Sequence, residues 1–226
     1  MPKFGVIAEG PTDQTVIENI LLGYFEGSED DTVVEFVRPS RPLGEDPGGW
    51  GLVFKGIERN DHEGALQFND FLIIHIDTDV QEEGGFDVPR RENGVELELP
   101  DRIDRVIARL KREMTAEFLA ENGHRVIFAI AVDSIECWLL PHFDRHKTSK
   151  ITGCLEAVNK ALRKLNKVAL SNGTRKFIPA YESASAHFRK RKRLLAVHDR
   201  NPSLKIFVEA LNAAFPKPAE ETKSAD

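Results

Sequence analysis

Four short stretches are apolar at nearly every position: KFGVIA (3–8), DTVVEFV (31–37), FLIIHID (71–77) and HRVIFAIAV (124–132). Side chains alternate in direction along a strand, so such a run is stable only where both faces of the sheet are covered. Between the runs the spacing turns helical. Val16, Ile17, Ile20, Leu21 and Tyr24 follow the first run, and Ile103, Val106, Ile107, Leu110, Met114 and Phe118 mark a helix expected over 101–121. A further helix is expected over about 52–68, and loops over the Pro- and Gly-rich 39–50 and the polar 80–100. Strands alternating with helices predict an α/β fold, a mainly parallel sheet flanked by helices, over residues 1–145.

After that point the pattern is mainly helical. Leu155, Val158, Leu162 and Leu165 form one stripe, a basic helix is expected over 182–198, and a last helix begins at Asn201-Pro202. Residues 146–215 are thus expected as a basic helical region and 216–226 as a disordered tail. Charge divides the same way. From Arg145 to Lys205 there are 16 Lys and Arg against three acids, a net of +13, while the rest carries 15 basic and 34 acidic residues, a net of −19. That asymmetry points either to a polyanionic partner or to two halves neutralising one another.

No window reaches the roughly 18 unbroken apolar residues of a membrane span, and MPKFGVIAEG lacks a signal-peptide core, so the expectation is a cytoplasmic protein. Cys137 and Cys154 fit a reducing compartment and are expected to form neither a disulfide framework nor a zinc site.

In a parallel sheet the chemistry gathers at the carboxyl ends of the strands. Glu9 follows the first run, Asp77 and Asp79 close the third, and Asp133 and Glu136 follow the fourth, with Asp13 at the start of the first helix. Carboxylates so close repel unless a cation neutralises them, and Mg²⁺, with Mn²⁺ as a substitute, suits an all-oxygen donor set. Simpler accounts stand beside this one. Glu9 is favoured by the positive end of the following helix, and Asp133 and Glu136 have the spacing of a capping box. His62, His75 and His124 lack metal-ligand spacing, and His75, inside an apolar strand, reads as a core histidine.

Glu9-Gly10-Pro11-Thr12-Asp13 resembles the EGxxD signature of the Toprim domain, and Asp77-Thr78-Asp79 at the end of a later apolar strand resembles its DxD. Glu136-Cys137-Trp138-Leu139-Leu140 is similar to the acidic-Trp-Leu-Leu segment of small stand-alone Toprim-like proteins of bacterial defence loci, relatives of the OLD-family nucleases. The resemblance covers roughly residues 3–141. It implies a Toprim-like fold and a Mg²⁺-dependent nuclease hydrolysing DNA or RNA in phage defence. Glu9 would be general acid or base or a metal ligand, Asp77, Asp79 and Glu136 metal ligands, and Asp13 and Asp133 supporting acids. It also implies an ATPase partner encoded nearby. Tyr24 and Tyr181 are the only tyrosines and no zinc module is present, which disfavours strand passage and primer synthesis.

The expected grip on nucleic acid is Arg189, Lys190, Arg191, Lys192 and Arg193, with Arg175, Lys176, Arg38 and Arg41. Only two or three of five consecutive helical residues can face one groove, and such contacts give salt-sensitive affinity with little sequence preference. Two rival readings are a haloacid-dehalogenase-like phosphatase, whose DxD the IIHIDTDV segment mimics, and a non-catalytic nucleic-acid-binding or regulatory module.

Overall fold

The computed structural model describes residues 2–27, 32–40, 48–144, 151–172 and 175–216. Strands β1 (Lys3–Ile7), β2 (Val33–Arg38), β3 (Phe71–Asp77) and β6 (Val126–Ala131) form one parallel sheet in the order β2-β1-β3-β6. The four apolar runs are these four strands. The chain leaves β1 through helix α1 (Pro11–Tyr24) to β2 on one side, then returns to place β3 on the other side of β1. The winding direction therefore reverses between β1 and β3, and a crevice opens there at their carboxyl ends.

Both faces are covered. Helices α2 (Trp50–Glu58), α3 (Asp61–Leu66), α4 (Leu99–Lys111) and α5 (Ala116–Asn122) pack one core with Leu72, Ile74 and Ile76 of β3. On the other face lie α1, α6 (Glu136–Phe143), α7 (Cys154–Lys164), α8 (Ile178–Ser185), α9 (Arg191–Leu195) and α10 (Pro202–Ala214). Val158, Leu162, Tyr181, Phe188, Leu204 and Phe207 share one buried cluster with Phe4, Val6 and Ile73. The basic C-terminal residues therefore cover the sheet rather than hang from it.

Three expected helices are interrupted. The 52–68 helix is α2 and α3, separated at Asn60, whose φ of 61° ends one and starts the other. The 101–121 helix is α4 and α5, because Thr115 Oγ1 accepts the Phe118 N–H and starts a new helix. The 182–198 helix is α8, a 3₁₀ turn over Ala186–Arg189, and α9. Phe188 and Leu194 are both buried, and on one straight helix they would face different sides, so the chain bends to bury both. Residues 80–98, expected as a loop, include the small hairpin of β4 (Arg91–Glu92) and β5 (Val95–Glu96), and bury Gln81, Phe86 and Val88.

Cys137 and Cys154 are joined in a disulfide between α6 and α7, contrary to the sequence reading. Their separation of 17 residues gave no sign that α7 folds back onto α6. The cysteines no longer argue for a reducing compartment. No helix among the described residues is long and apolar enough to cross a membrane. Of the expected disordered tail 216–226, residues 217–226 lie outside the described residues, as does Arg41.

Candidate active site

Glu9 sits in the turn between β1 and α1, and its Oε1 accepts the backbone N–H of Asp77 at 2.6 Å. Its own carbonyl accepts the Gly49 N–H at 2.7 Å, and a Cβ on Gly48, at φ +77°, would lie 2.6 Å from that carbonyl oxygen. The 48–49 segment can lie this close to Glu9 only because it has no side chain there. Asp13, in the first turn of α1, is buried and accepts the hydroxyl of Thr12.

Thr78 links the β3 turn to the β6 turn. Its N–H donates to the carbonyls of Ala131 and Asp133, and its hydroxyl accepts the Asp133 N–H at 2.9 Å. Asp77 is buried and Asp79 is exposed. Asp133 has φ 67°, and the N-cap residue of α6 is Ile135 with no side-chain cap, so the capping-box reading of Asp133 and Glu136 does not hold.

Behind the acids stands His75, fully buried and two residues before Asp77 on the same strand face. Its Nδ1 lies 2.7 Å from the Ala129 carbonyl, which can only accept, so Nδ1 carries a proton. Its Nε2 lies 3.3 Å from Asp77 Oδ1, near enough for charge attraction but outside hydrogen-bond geometry. Asp13, His75 and Asp77 each offer a ligand atom within 4.8 Å of the others. His75 is therefore more than a core residue. The period-two reading that paired Asp77 with Asp79 reaches it one step earlier.

Lys176, expected on the nucleic-acid surface, enters the acid cluster from β8 (Arg175–Lys176), which pairs with β7 (Ser171–Asn172). Its Nζ is 2.9 Å from Glu136 Oε1, the oxygen that also accepts the Tyr181 hydroxyl. Glu136 is thus held by a lysine and a tyrosine. Glu9 feels the charges of Asp77, Asp13 and Asp79, so these four acids lie near one another. Nothing in the sequence places Lys176 there, because its position depends on α7 and the β7–β8 hairpin.

Burial, then the charges of Asp77 and Asp13, raises Glu9 well above the usual carboxylate range. Burial pushes Asp77 up to about 7, against the pull of His75. Asp13, Asp79 and Asp133 are raised for the same first reason. Glu136 goes the other way: burial would raise it, but Lys176, Ser134 and Tyr181 outweigh that and lower it. For His75 burial works downward and is outweighed by Asp77 and Asp13, so its pKa is raised.

The basic run is mostly committed elsewhere. Arg189 binds Asn19 and Glu182, Lys190 reaches Glu26 at 2.7 Å, and Arg191 donates to the Tyr24 carbonyl while covering the Tyr24 ring. From Asp13 to Tyr24 the helix rises about 16 Å, so the run lies at the far end of α1 from the acids. Lys192 and Arg193 point to solvent. Arg38 is paired with Asp61, and the side chain of Arg175 is outside what the structure describes.

The fold and site define an α/β protein with a Rossmann-like parallel sheet and an acid cluster at its switch point. No protein family, curated protein or solved structure matched the chain when it was compared with them.

Proposed function

We propose that the protein is a divalent-metal-dependent phosphodiesterase of Toprim type, a nuclease acting on DNA or RNA. The observation that carries this reading is the convergence of Glu9, Asp13, Asp77 and Asp79 at the β1/β3 switch point. Asp77 Oδ1 is buried, 3.3 Å from His75 Nε2 and with no hydrogen bond from the described residues, and a cluster of carboxylate oxygens suits Mg²⁺ or Mn²⁺. Glu9, Asp77 and Asp79 would hold the ion, with Asp13 and His75 behind them.

When bound, the ion supplies Lewis-acid stabilisation of phosphate oxygens and lowers the pKa of a water. The residues themselves do the rest. Glu9, fixed through Oε1 by the Asp77 N–H and raised well above the usual carboxylate range by burial and by Asp77 and Asp13, is suited to taking and returning a proton. Lys176 provides a fixed positive charge beside the carboxylates, where negative charge builds on a phosphate under attack. His75 and Ala129 hold Asp77 from behind. The Toprim resemblance also supports a partner ATPase and a role in phage defence.

The test is cleavage of supercoiled plasmid, single-stranded DNA and RNA with Mg²⁺, Mn²⁺ or EDTA, beside an Asp77→Asn/Asp79→Asn double variant. Metal-dependent cutting lost in the variant supports the reading. If the wild type neither cuts nor gains thermal stability from metal, the acids serve another purpose.

A further inference from the structure

Arg102 is an anomaly in this molecule. It is 4% exposed, yet among the described residues its only hydrogen bond runs from Nη2 to the Gln81 side-chain oxygen at 3.0 Å, and its Nε has no hydrogen-bond partner there. No carboxylate of the described residues lies within ion-pair distance of it, and Glu96, Asp133 and Glu82 act on it only from further away. It is also the fourth residue of α4, where the helix presents its positive end and a cation is disfavoured. A buried guanidinium with no carboxylate in contact is costly, because its lost hydration is only partly replaced.

Its neighbour deepens the anomaly. Arg90 is close enough to push the Arg102 pKa down, second only to burial. Arg90 Nη2 donates to the Thr78 carbonyl at 2.9 Å and to the Asp79 carbonyl, so it grips the backbone of the DxD turn. Its Nε is likewise buried and, among the described residues, without a hydrogen bond, with the exposed Glu82 4.0 Å away. The Thr78 carbonyl that Arg90 holds also accepts the Gln81 N–H, and the Gln81 side chain holds Arg102, so two guanidiniums flank residues 78–81 beside the acids, each with an Nε that no described residue accepts.

We propose that Arg90 and Arg102 form a phosphate-binding subsite beside the acid cluster, which takes a phosphate of the nucleic-acid substrate next to the one being cleaved. A phosphate there satisfies both Nε donors and brings negative charge into contact with both guanidiniums. Because Arg90 also holds the Thr78 and Asp79 carbonyls, filling the subsite fixes the DxD turn relative to the strand. The inference rests on the nuclease reading only for the identity of the ligand. A phosphate donor of any kind fits the chemistry, either an internal phosphodiester or a terminal phosphate.

The experiment is a thermal melt of the full-length protein in EDTA, with inorganic phosphate compared with chloride at equal ionic strength. Wild type and a Lys205→Gln control should gain stability saturably with phosphate, and Arg102→Gln and Arg90→Gln should not. In chloride Arg102→Gln should be at least as stable as wild type, since a buried charge beside Arg90 has gone. Equal phosphate shifts in wild type and both variants, or none in any, overturn the proposal. So does an Arg102→Gln protein that is several degrees less stable in chloride, which would make Arg102 a brace for Gln81. If that variant does not fold, Arg90→Gln decides alone.

Anisotropy with single-stranded oligonucleotides in EDTA then distinguishes the two sources. An affinity loss of about tenfold in Arg102→Gln on both 5′-phosphorylated and 5′-hydroxyl strands assigns an internal phosphodiester. A loss confined to the phosphorylated strand assigns a terminal phosphate, and no loss on either overturns the site. The Asp77→Asn/Asp79→Asn protein should keep the phosphate shift while losing cleavage, so failure of the nuclease reading is read separately.

Discussion

Glu9 Oε1 accepts the Asp77 backbone N–H at 2.6 Å, so the first acid of the site is bonded to the main chain of the second across the β1/β3 boundary. One side chain both carries charge into the crevice and joins the ends of two strands. Substitution separates these tasks. Glu9→Gln keeps an acceptor oxygen and should fold, gain stability in EDTA at pH 8 through relief of repulsion, and lose about 100-fold or more in metal-dependent cleavage. Glu9→Ala also loses the acceptor and should be about 1–2 kcal/mol less stable than Glu9→Gln by urea unfolding.

Stability without metal should depend on pH in an uncommon direction. The folded Asp77 carboxyl titrates at about 7 against an ordinary 3.8, so between those values the folded state binds more protons than the unfolded one. Stability in EDTA therefore falls as pH rises across that window, and Glu9 and Asp79 push the same way. Asp77→Asn should flatten the slope. In wild type Mg²⁺ should stabilise progressively more as pH rises through 7, which melts across a pH series will show.

Lys176 should matter to the fold as well as to any reaction. Glu136 is 1% exposed and Lys176 37%, so removing the lysine strands a buried carboxylate while its own charge was already partly in water. Lys176→Met should cost about 2 kcal/mol, below the usual figure for breaking a fully buried pair. Adding Glu136→Gln should recover most of that loss, and a double-mutant cycle measures it.

Reduction of the Cys137–Cys154 disulfide frees a loop closed over a separation of 17 residues. The expected loss is about 3 kcal/mol, seen as a lower melting temperature with dithiothreitol and no such change in a Cys137→Ser/Cys154→Ser protein. A pair that melts identically with and without reductant would refute the link.

The basic run should divide into two behaviours. Lys192→Ala/Arg193→Ala should leave stability within about 0.5 kcal/mol and lower the salt dependence of nucleic-acid binding, if these residues touch phosphate. Arg191→Ala should instead destabilise by about 1–2 kcal/mol, because it loses the Tyr24 carbonyl and the Tyr24 ring. Paired urea titrations and anisotropy distinguish them.

The strands were legible because a run such as FLIIHID, apolar on both sides, has few other stable placements. Glu9, Asp77 and Asp79 were legible for the same reason, since the ends of such strands are where polar residues can begin. Helix breaks were not. The apolar stripe runs on through Asn60 and through 112–115, and only a left-handed backbone or a hydroxyl cap reveals the change. Lys176, Arg102 and the cysteine pair were hidden because tertiary folding alone brings them to their partners. The five-residue basic run misled by composition, since charge density does not show that Asn19, Glu26 and the Tyr24 carbonyl occupy three of its members.

At the end of α1 away from the acids, a Cβ on Gly23 would fall 1.6 Å from the Phe188 carbonyl oxygen. Backbone meets backbone there, with no flexible side chain to yield. In a survey of every single substitution, position 23 would therefore score as intolerant as Glu9 or Asp77 while taking no part in any reaction. The protein's sensitivity to change has two poles joined by one helix, and only one of them is chemical.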